Sequence, residues 1–157
     1  MLQSVISGNA DIESVNARLQ QFYRFHNYGE NGGAENRIAF LHLGPVNIPF
    51  PNSRQRRAFL YIHDIDHLVT GYSTSWCGEA CLAAWEMRTR SWDGKITLWL
   101  LVSTAIAWGL IICPRGVIAG WRLGSRTRSV TSLQLSRDEL LALPLHELKA
   151  RLGFGNV

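Results

Sequence analysis

The chain has 157 residues, 46% of them hydrophobic and 18% charged, with 16 Lys and Arg against 12 Asp and Glu for a net charge of +4. That balance predicts one globular domain, long enough to bury a core without disulfides or a structural metal, and excludes an intrinsically disordered chain. Cys77, Cys81 and Cys113 make an odd count without paired spacing, which excludes a disulfide framework; with no signal-peptide pattern over residues 1–11, a reducing cytoplasm is the expected compartment.

Asp11 is placed to cap a first helix over 12 to about 26, with Val15, Leu19, Phe22 and Phe25 as its apolar stripe. Residues 27–34, rich in Gly and Asn, read as a loop. Residues 38–50 are apolar but interrupted by Pro45 and Pro49, which rules out a helix and leaves a short strand or an extended arm. Asn52 or Ser53 caps the next helix, which runs to about 69 and is stopped by Gly71. Thr74 or Ser75 caps another that ends near Gly94.

Residues 96–113 carry no charge. They sit at the lower length limit of a membrane-spanning helix, but Ser103, Thr104 and Gly109 interrupt the apolar run, and a central buried helix is the first reading. Residues 116–128, rich in Gly and Arg, read as a loop with a short helix. Ser136 and Glu139 have capping-box spacing, and Leu140, Leu141, Leu145, Leu148 and Leu152 supply the apolar positions of the last helices. The sum is an all-α fold, one domain of about five to seven helices over residues 1–157.

Arg54, Arg56 and Arg57, and again Arg122, Arg126 and Arg128, form two basic clusters. They read as solvated faces or, functionally, as grips for a carboxylate, a phosphate or anionic lipid. With no long basic helix, zinc-finger spacing or aromatic RNA-binding signature, nucleic acid is not an expected partner.

The densest chemistry lies at His63, Asp64, His67 and Glu79. A helix turns about 100° per residue, so from His63 at zero Asp64 falls near 100° and His67 near 40°. The two imidazoles stand one turn apart on one face, the arrangement by which a helix offers two ligands to one ion. On one continuous helix Glu79 would lie about 18 Å beyond His67. A fold-back at residues 71–75 brings it opposite His67, so the spacing makes sense only as a helical hairpin. A mixed N/O donor set suits Zn²⁺ first, and also Fe²⁺, Mn²⁺ or Co²⁺. Without an ion, the same residues could form a hydrogen-bonded polar network. Four protein ligands would close a structural site, whereas three leave a position for water or substrate. Cys77 and Cys81, one turn apart, read as small buried residues rather than ligands.

The run from His63 to Glu86, HDIDHLVTGYSTSWCGEACLAAWE, resembles the Coq-four family of ubiquinone (coenzyme Q) biosynthesis, through His63, Asp64, His67, Thr70, Gly71, Gly78 and Glu79. Weaker likeness extends upstream to Gly44-Pro45, Phe50-Pro51-Asn52 and Arg56-Arg57, and downstream to residues 122–126 and 144–149. The resemblance implies an all-α fold around an apolar groove for a prenyl tail, with a divalent metal at its mouth held by His63, Asp64, His67 and Glu79. It also implies peripheral action at a membrane, a link to oxidative removal of a ring carboxyl, and a role in organising other biosynthetic enzymes. The chain departs from the pattern at Asp66, where relatives more often carry an aromatic residue or His, and in its shorter N-terminal part.

Two functions follow as expectations. The first is a metal-dependent enzyme, of lyase or oxidative decarboxylase type, on a prenylated or polyketide-like aromatic acid or quinone precursor. In it Asp64 or Glu79 moves a proton, and Arg56, Arg57, Arg122 or Arg126 pairs with a substrate carboxylate or phosphate. The second is a non-catalytic lipid-binding scaffold with a structural metal that serves partner enzymes. A cytoplasmic protein at the surface of the inner membrane, and a homo-oligomer, are compatible with both.

Overall fold

The computed structural model describes residues 13–29, 32, 38–43, 46–51, 54–91 and 96–156. They form seven α-helices and one β-hairpin: α1 (Val15–His26), β1 (Ile38–Leu43), β2 (Val46–Pro51), α2 (Arg54–Thr70), α3 (Trp76–Thr89), α4 (Ile96–Ile112), α5 (Pro114–Gly124), α6 (Arg137–Ala142) and α7 (Leu145–Leu152), with single 3₁₀ turns at Val130–Leu133 and Phe154–Asn156. The helical single domain expected from the sequence is present. The apolar arm is the one non-helical element: β1 and β2 pair antiparallel, Ile38 opposite Pro51 and Leu43 opposite Val46. A two-stranded ribbon tolerates Pro49 and Pro51 because each strand has a free edge that needs no N–H donor.

The first helix starts later than its apolar stripe predicts. Ser14 is its N-cap, its hydroxyl accepting from the Ala17 N–H at 3.2 Å. Asp11 and Ile12 lie outside the described residues, as do Asn52 and Ser53. Backbone bonds from Val15 N–H to Leu143 O (2.8 Å) and from Leu145 N–H to Glu13 O (2.9 Å) tie the start of α1 to the corner between α6 and α7. The capping box at Ser136 and Glu139 forms as expected.

The central helix is α3, not α4. Residues 80–86 are buried without a break, and Trp85 donates its indole N–H to Thr127 Oγ1 at 2.8 Å. Leu19, Tyr23, Ile62, Ile65, Leu82, Trp85, Leu98, Val102, Leu145, Leu148 and Leu152 share the main core. The helix ends at Thr89, short of Gly94, because Arg90 adopts φ 57° and caps the last turn. By contrast α4 buries only Leu98, Val102 and Gly109, with Ala105 and Ile106 partly covered. Trp99, Leu100, Trp108, Leu110, Ile111 and Ile112 face outward. The reading of 96–113 as a central buried helix is therefore corrected: both faces of α4 are apolar, so periodicity cannot tell which one packs. No helix among the described residues is long and apolar enough to cross a membrane.

The Gly-Arg stretch holds the expected helix, longer than read: the three-turn α5 takes in all but its last four residues. Gly116, Gly120 and Gly124 are spaced four apart and line one face, which lies directly on α3. A Cβ on Gly120 would run into the Cys81 carbonyl, and one on Gly124 would stand 2.8 Å from Arg88 Cβ. Glycine reads locally as a helix breaker; here its missing Cβ permits contact between two helix backbones, and that gain offsets its weak propensity. Gly120→Ala is expected to destabilise the fold by about 1–3 kcal/mol, read as a lowered denaturant midpoint. Gly155→Ala, where a Cβ meets nothing within 4 Å, should change it by less than about 0.5 kcal/mol.

Candidate metal centre

His63 and His67 project from one face of α2 with ring centroids 4.9 Å apart. Gly71, at φ 74°, ends the helix, its N–H donating to His67 O at 2.9 Å. The chain then reverses, and Ser75 caps α3 by accepting from the Gly78 N–H at 3.2 Å. A Cβ on Gly78 would run into the Ser73 backbone, so the tightness of this return requires glycine there. The fold-back puts Glu79 in the first turn of α3, where the partial positive charge of the helix end favours a carboxylate.

The hairpin expected from the spacing thus forms, and it gathers three of the four residues. One ligand atom each from His63, His67 and Glu79 lies within 4.8 Å of the others. Nε2 of His63 is 3.4 Å from Glu79 Oε2, and Nε2 of His67 is 3.3 Å from Glu79 Oε1. These separations are long for charge-assisted hydrogen bonds, which run about 2.7–2.9 Å. Each is near the roughly 3.3 Å edge of a tetrahedron of ligands about 2.0–2.1 Å from one ion, although the two run to different oxygens of Glu79.

Both imidazoles are also fixed in the tautomer that frees Nε2. His67 Nδ1–H donates to Tyr72 O at 2.8 Å, and His63 Nδ1–H donates to Glu86 Oε1 at 2.7 Å. An outer acceptor that orients a histidine and raises its basicity is the usual support of a metal-binding imidazole. Two histidines and one carboxylate with an open side could therefore hold a metal ion. That open side lies at Glu79 and His63, about one third and one quarter exposed, while His67 is closed off at 2%.

Asp64 is not one of the three. Its carboxyl is buried and hydrogen-bonds the Tyr23 hydroxyl. Burial pushes its pKa up to about 6, against the lowering effect of His63, Tyr23 and His67. Asp66, one residue before His67, is fully buried beside Glu86. Neither oxygen of Asp66 nor Oε2 of Glu86 meets a hydrogen-bond partner, and the two acids lie side by side. Burial first, then the Glu86 charge, raises Asp66 well above the usual carboxylate range and makes it the neutral partner.

Glu86 is the residue that sequence reasoning missed. It stands seven residues after Glu79, two helical turns along the same face, so the signal was present in the spacing. An aromatic rim was missed as well. Phe22 stacks on His67 with centroids 5.8 Å apart, Phe22 meets His26 at 4.6 Å, and His26 stacks on Tyr28 at 5.2 Å. Only Phe22 of these had been singled out, as a core position.

Arg122 and Arg126 do not gather at the centre. Arg122 and Arg126 are exposed at the end of α5, beside Gly124 and the last turn of α3. Arg88 in that turn is nine residues, about 13 Å, along the helix from Glu79. The side chains of Arg56 and Arg57 lie outside the described part of the structure. No family model, no curated protein and no solved structure matches the chain.

The protein is expected to bind one divalent ion per chain, measured by metal analysis after dialysis. His67→Ala should abolish that binding, and Glu86→Gln should weaken it roughly 10- to 100-fold. Binding should also release protons. Burial pulls His63 down, but Glu86 and Glu79 outweigh it and hold the imidazole well above its usual pKa, whereas a metal takes the neutral ring. Metal affinity should therefore rise with pH above about 6.5. Without metal the sign reverses. The stability from a raised His63 is complete below about 6.5 and fades as pH climbs through the higher folded value. Calorimetric titration and melting curves across that range read both slopes.

Proposed function

We propose that this chain is a metal-dependent, Coq-four-like enzyme acting on a prenylated or polyketide-like aromatic acid, with loss of a ring carboxyl as the reaction. The observation that carries the reading is the three-ligand group His63, His67 and Glu79, open on one side and bordered by Phe22, His26 and Tyr28. The ion would hold the substrate carboxylate or phenolate and stabilise negative charge as it develops there. The rim offers ring faces against which an aromatic substrate can stack.

Glu79, held well below the usual carboxylate range by the two imidazoles beside it despite its burial, is assigned as a ligand rather than a proton carrier. Proton transfer falls to Asp64. Its raised pKa of about 6 lets it carry a proton near neutrality, and it adjoins His63 in the chain. In the simple form of the reaction the C–C bond to the carboxyl breaks, carbon dioxide leaves, and the ring carbon takes that proton. The oxidative form needs dioxygen and a redox-active ion, and a set of two histidines and one carboxylate accommodates iron(II) as well as zinc.

Action at the surface of the inner membrane is part of the proposal. Trp99, Leu100, Trp108, Leu110, Ile111, Ile112, Ile118 and Trp121 are exposed on α4 and α5. From Gly94 to Arg137 the chain has no acidic residue, while Arg115, Arg122, Arg126 and Arg128 are exposed. Apolar side chains with Trp and Arg at their margin suit the headgroup layer of an anionic bilayer.

Zinc- or iron(II)-loaded protein should release carbon dioxide from a farnesylated hydroxybenzoic acid, and His67→Ala should lose the activity. Asp64→Asn should retain metal and lose turnover by roughly 100-fold or more. Turnover by none of several such acids, together with a fourth protein ligand on the ion, would favour the scaffold with a structural metal. On vesicles, the wild type should sediment with anionic lipid and Ile111→Asp/Trp121→Asp should not; equal sedimentation of the two would remove the membrane surface from the reading.

A further inference from the structure

All three cysteines of the chain meet at one place. Cys77 and Cys81 lie one turn apart on α3, and Glu79 between them points about 160–200° away, so they occupy the side of the helix opposite the histidines. Cys113 arrives from far along the chain as the N-cap of α5, where its side chain makes no capping hydrogen bond. Its Sγ lies 3.9 Å from Cys77 O. The Cys77 thiol neighbours those of Cys81 and Cys113 closely enough, together with burial, to push both of their pKa values up. Gly116, in the first turn of α5, marks the centre: a Cβ there would stand 2.7 Å from Cys81 Sγ, 3.2 Å from Cys77 Sγ and 3.8 Å from Cys113 Sγ. Cys81 is buried, and Cys77 and Cys113 are half-buried. The nearby Ala80, Ala84 and Val117 are apolar.

We propose that Cys77, Cys81 and Cys113 form a thiolate site for a soft monovalent cation of the copper(I) class, separate from the His63–His67–Glu79 centre. Sulfur-only donors select soft ions. Three sulfurs with no nearby imidazole or carboxylate suit copper(I), which is content with two or three thiolates, better than a tetrahedral zinc or an iron–sulfur cluster, which call for four. Among the described residues only the His/His/Glu group has all its ligand atoms within 4.8 Å of one another. Capture of the ion therefore draws the sulfurs together, and Cys113, at a helix cap, is the one placed to move. In that step each participating S–H gives its proton to solvent, a copper–sulfur bond replaces it, and copper stays in the +1 state.

The test uses reduced, full-length protein under anaerobic conditions, with copper(I) supplied as its coloured bathocuproine disulfonate complex. The wild type should withdraw about one copper per chain, with a thiolate-to-copper band in the near ultraviolet, and the His63→Ala/His67→Ala variant should do the same. Cys77→Ser and Cys113→Ser, checked for folding by circular dichroism, should compete more weakly by over roughly 100-fold, more than an outer partner's loss costs. The proposal is overturned if the folded wild type withdraws no copper, if the serine variants withdraw it equally well, or if the histidine variant alone loses it. It is also overturned if the untreated protein shows one titratable thiol in place of three, since Cys77 would then be held in a disulfide.

Discussion

The bond between His63 Nδ1 and the Glu86 carboxylate, 2.7 Å long in the middle of the core, is the constraint from which the rest of the molecule follows. Glu86 has no exposure at all. A lone ionised carboxylate there would cost many kcal/mol, so it must be paired or protonated. Here it is paired with His63, while burial and the Glu86 charge keep the neighbouring Asp66 in its neutral form. Breaking one partner of such a group costs about 3–5 kcal/mol because the other charge is left stranded. The bond therefore fixes the register of α2 against α3, and the same register sets His63 Nε2 opposite Glu79.

Because α3 is buried on nearly every side, its faces do separate work. The face toward α2 carries Glu79 and Glu86, two turns apart, one at the mouth of the centre and one beneath it. The opposite face carries Ala80, Ala84 and the two cysteines, and meets the glycines of α4 and α5 at backbone distance. A helix with polar chemistry on one side and a glycine-tight contact on the other cannot slide or rotate without losing one of them. That rigidity holds the ligand atoms to separations suited to an ion.

How much of this was legible depends on whether the deciding information was local. His63, His67 and Glu79 could be brought together on paper because helical angles and one glycine turn fix their relation. Ser136 with Glu139 was readable for the same reason. Asp64 could not be settled by angle alone: its direction from the helix is right for the site, but Tyr23, on a different helix, claims its carboxyl. The α5 glycines were misread because their purpose lies in α3, and α4 was misplaced because both its faces are apolar. The second basic cluster was visible as composition, but the distance of Arg122 and Arg126 from the centre is a tertiary fact.

The exposed face and the centre are related through one contact. Gly109 of α4 lies against Ala80 of α3, the residue next to Glu79. The outward-facing Trp108, Leu110, Ile111 and Ile112 therefore stand at about the same height along α3 as Glu79, but on the other side of that helix from the histidines. Trp99 and Leu100 lie about two to three turns further along α4. The core helix α3 thus stands between the metal-capable group and the apolar surface of α4 and α5, and ties the two together at one height without merging them. Contiguous exposed Trp and Ile on two successive helices mark a surface built for contact with another apolar body.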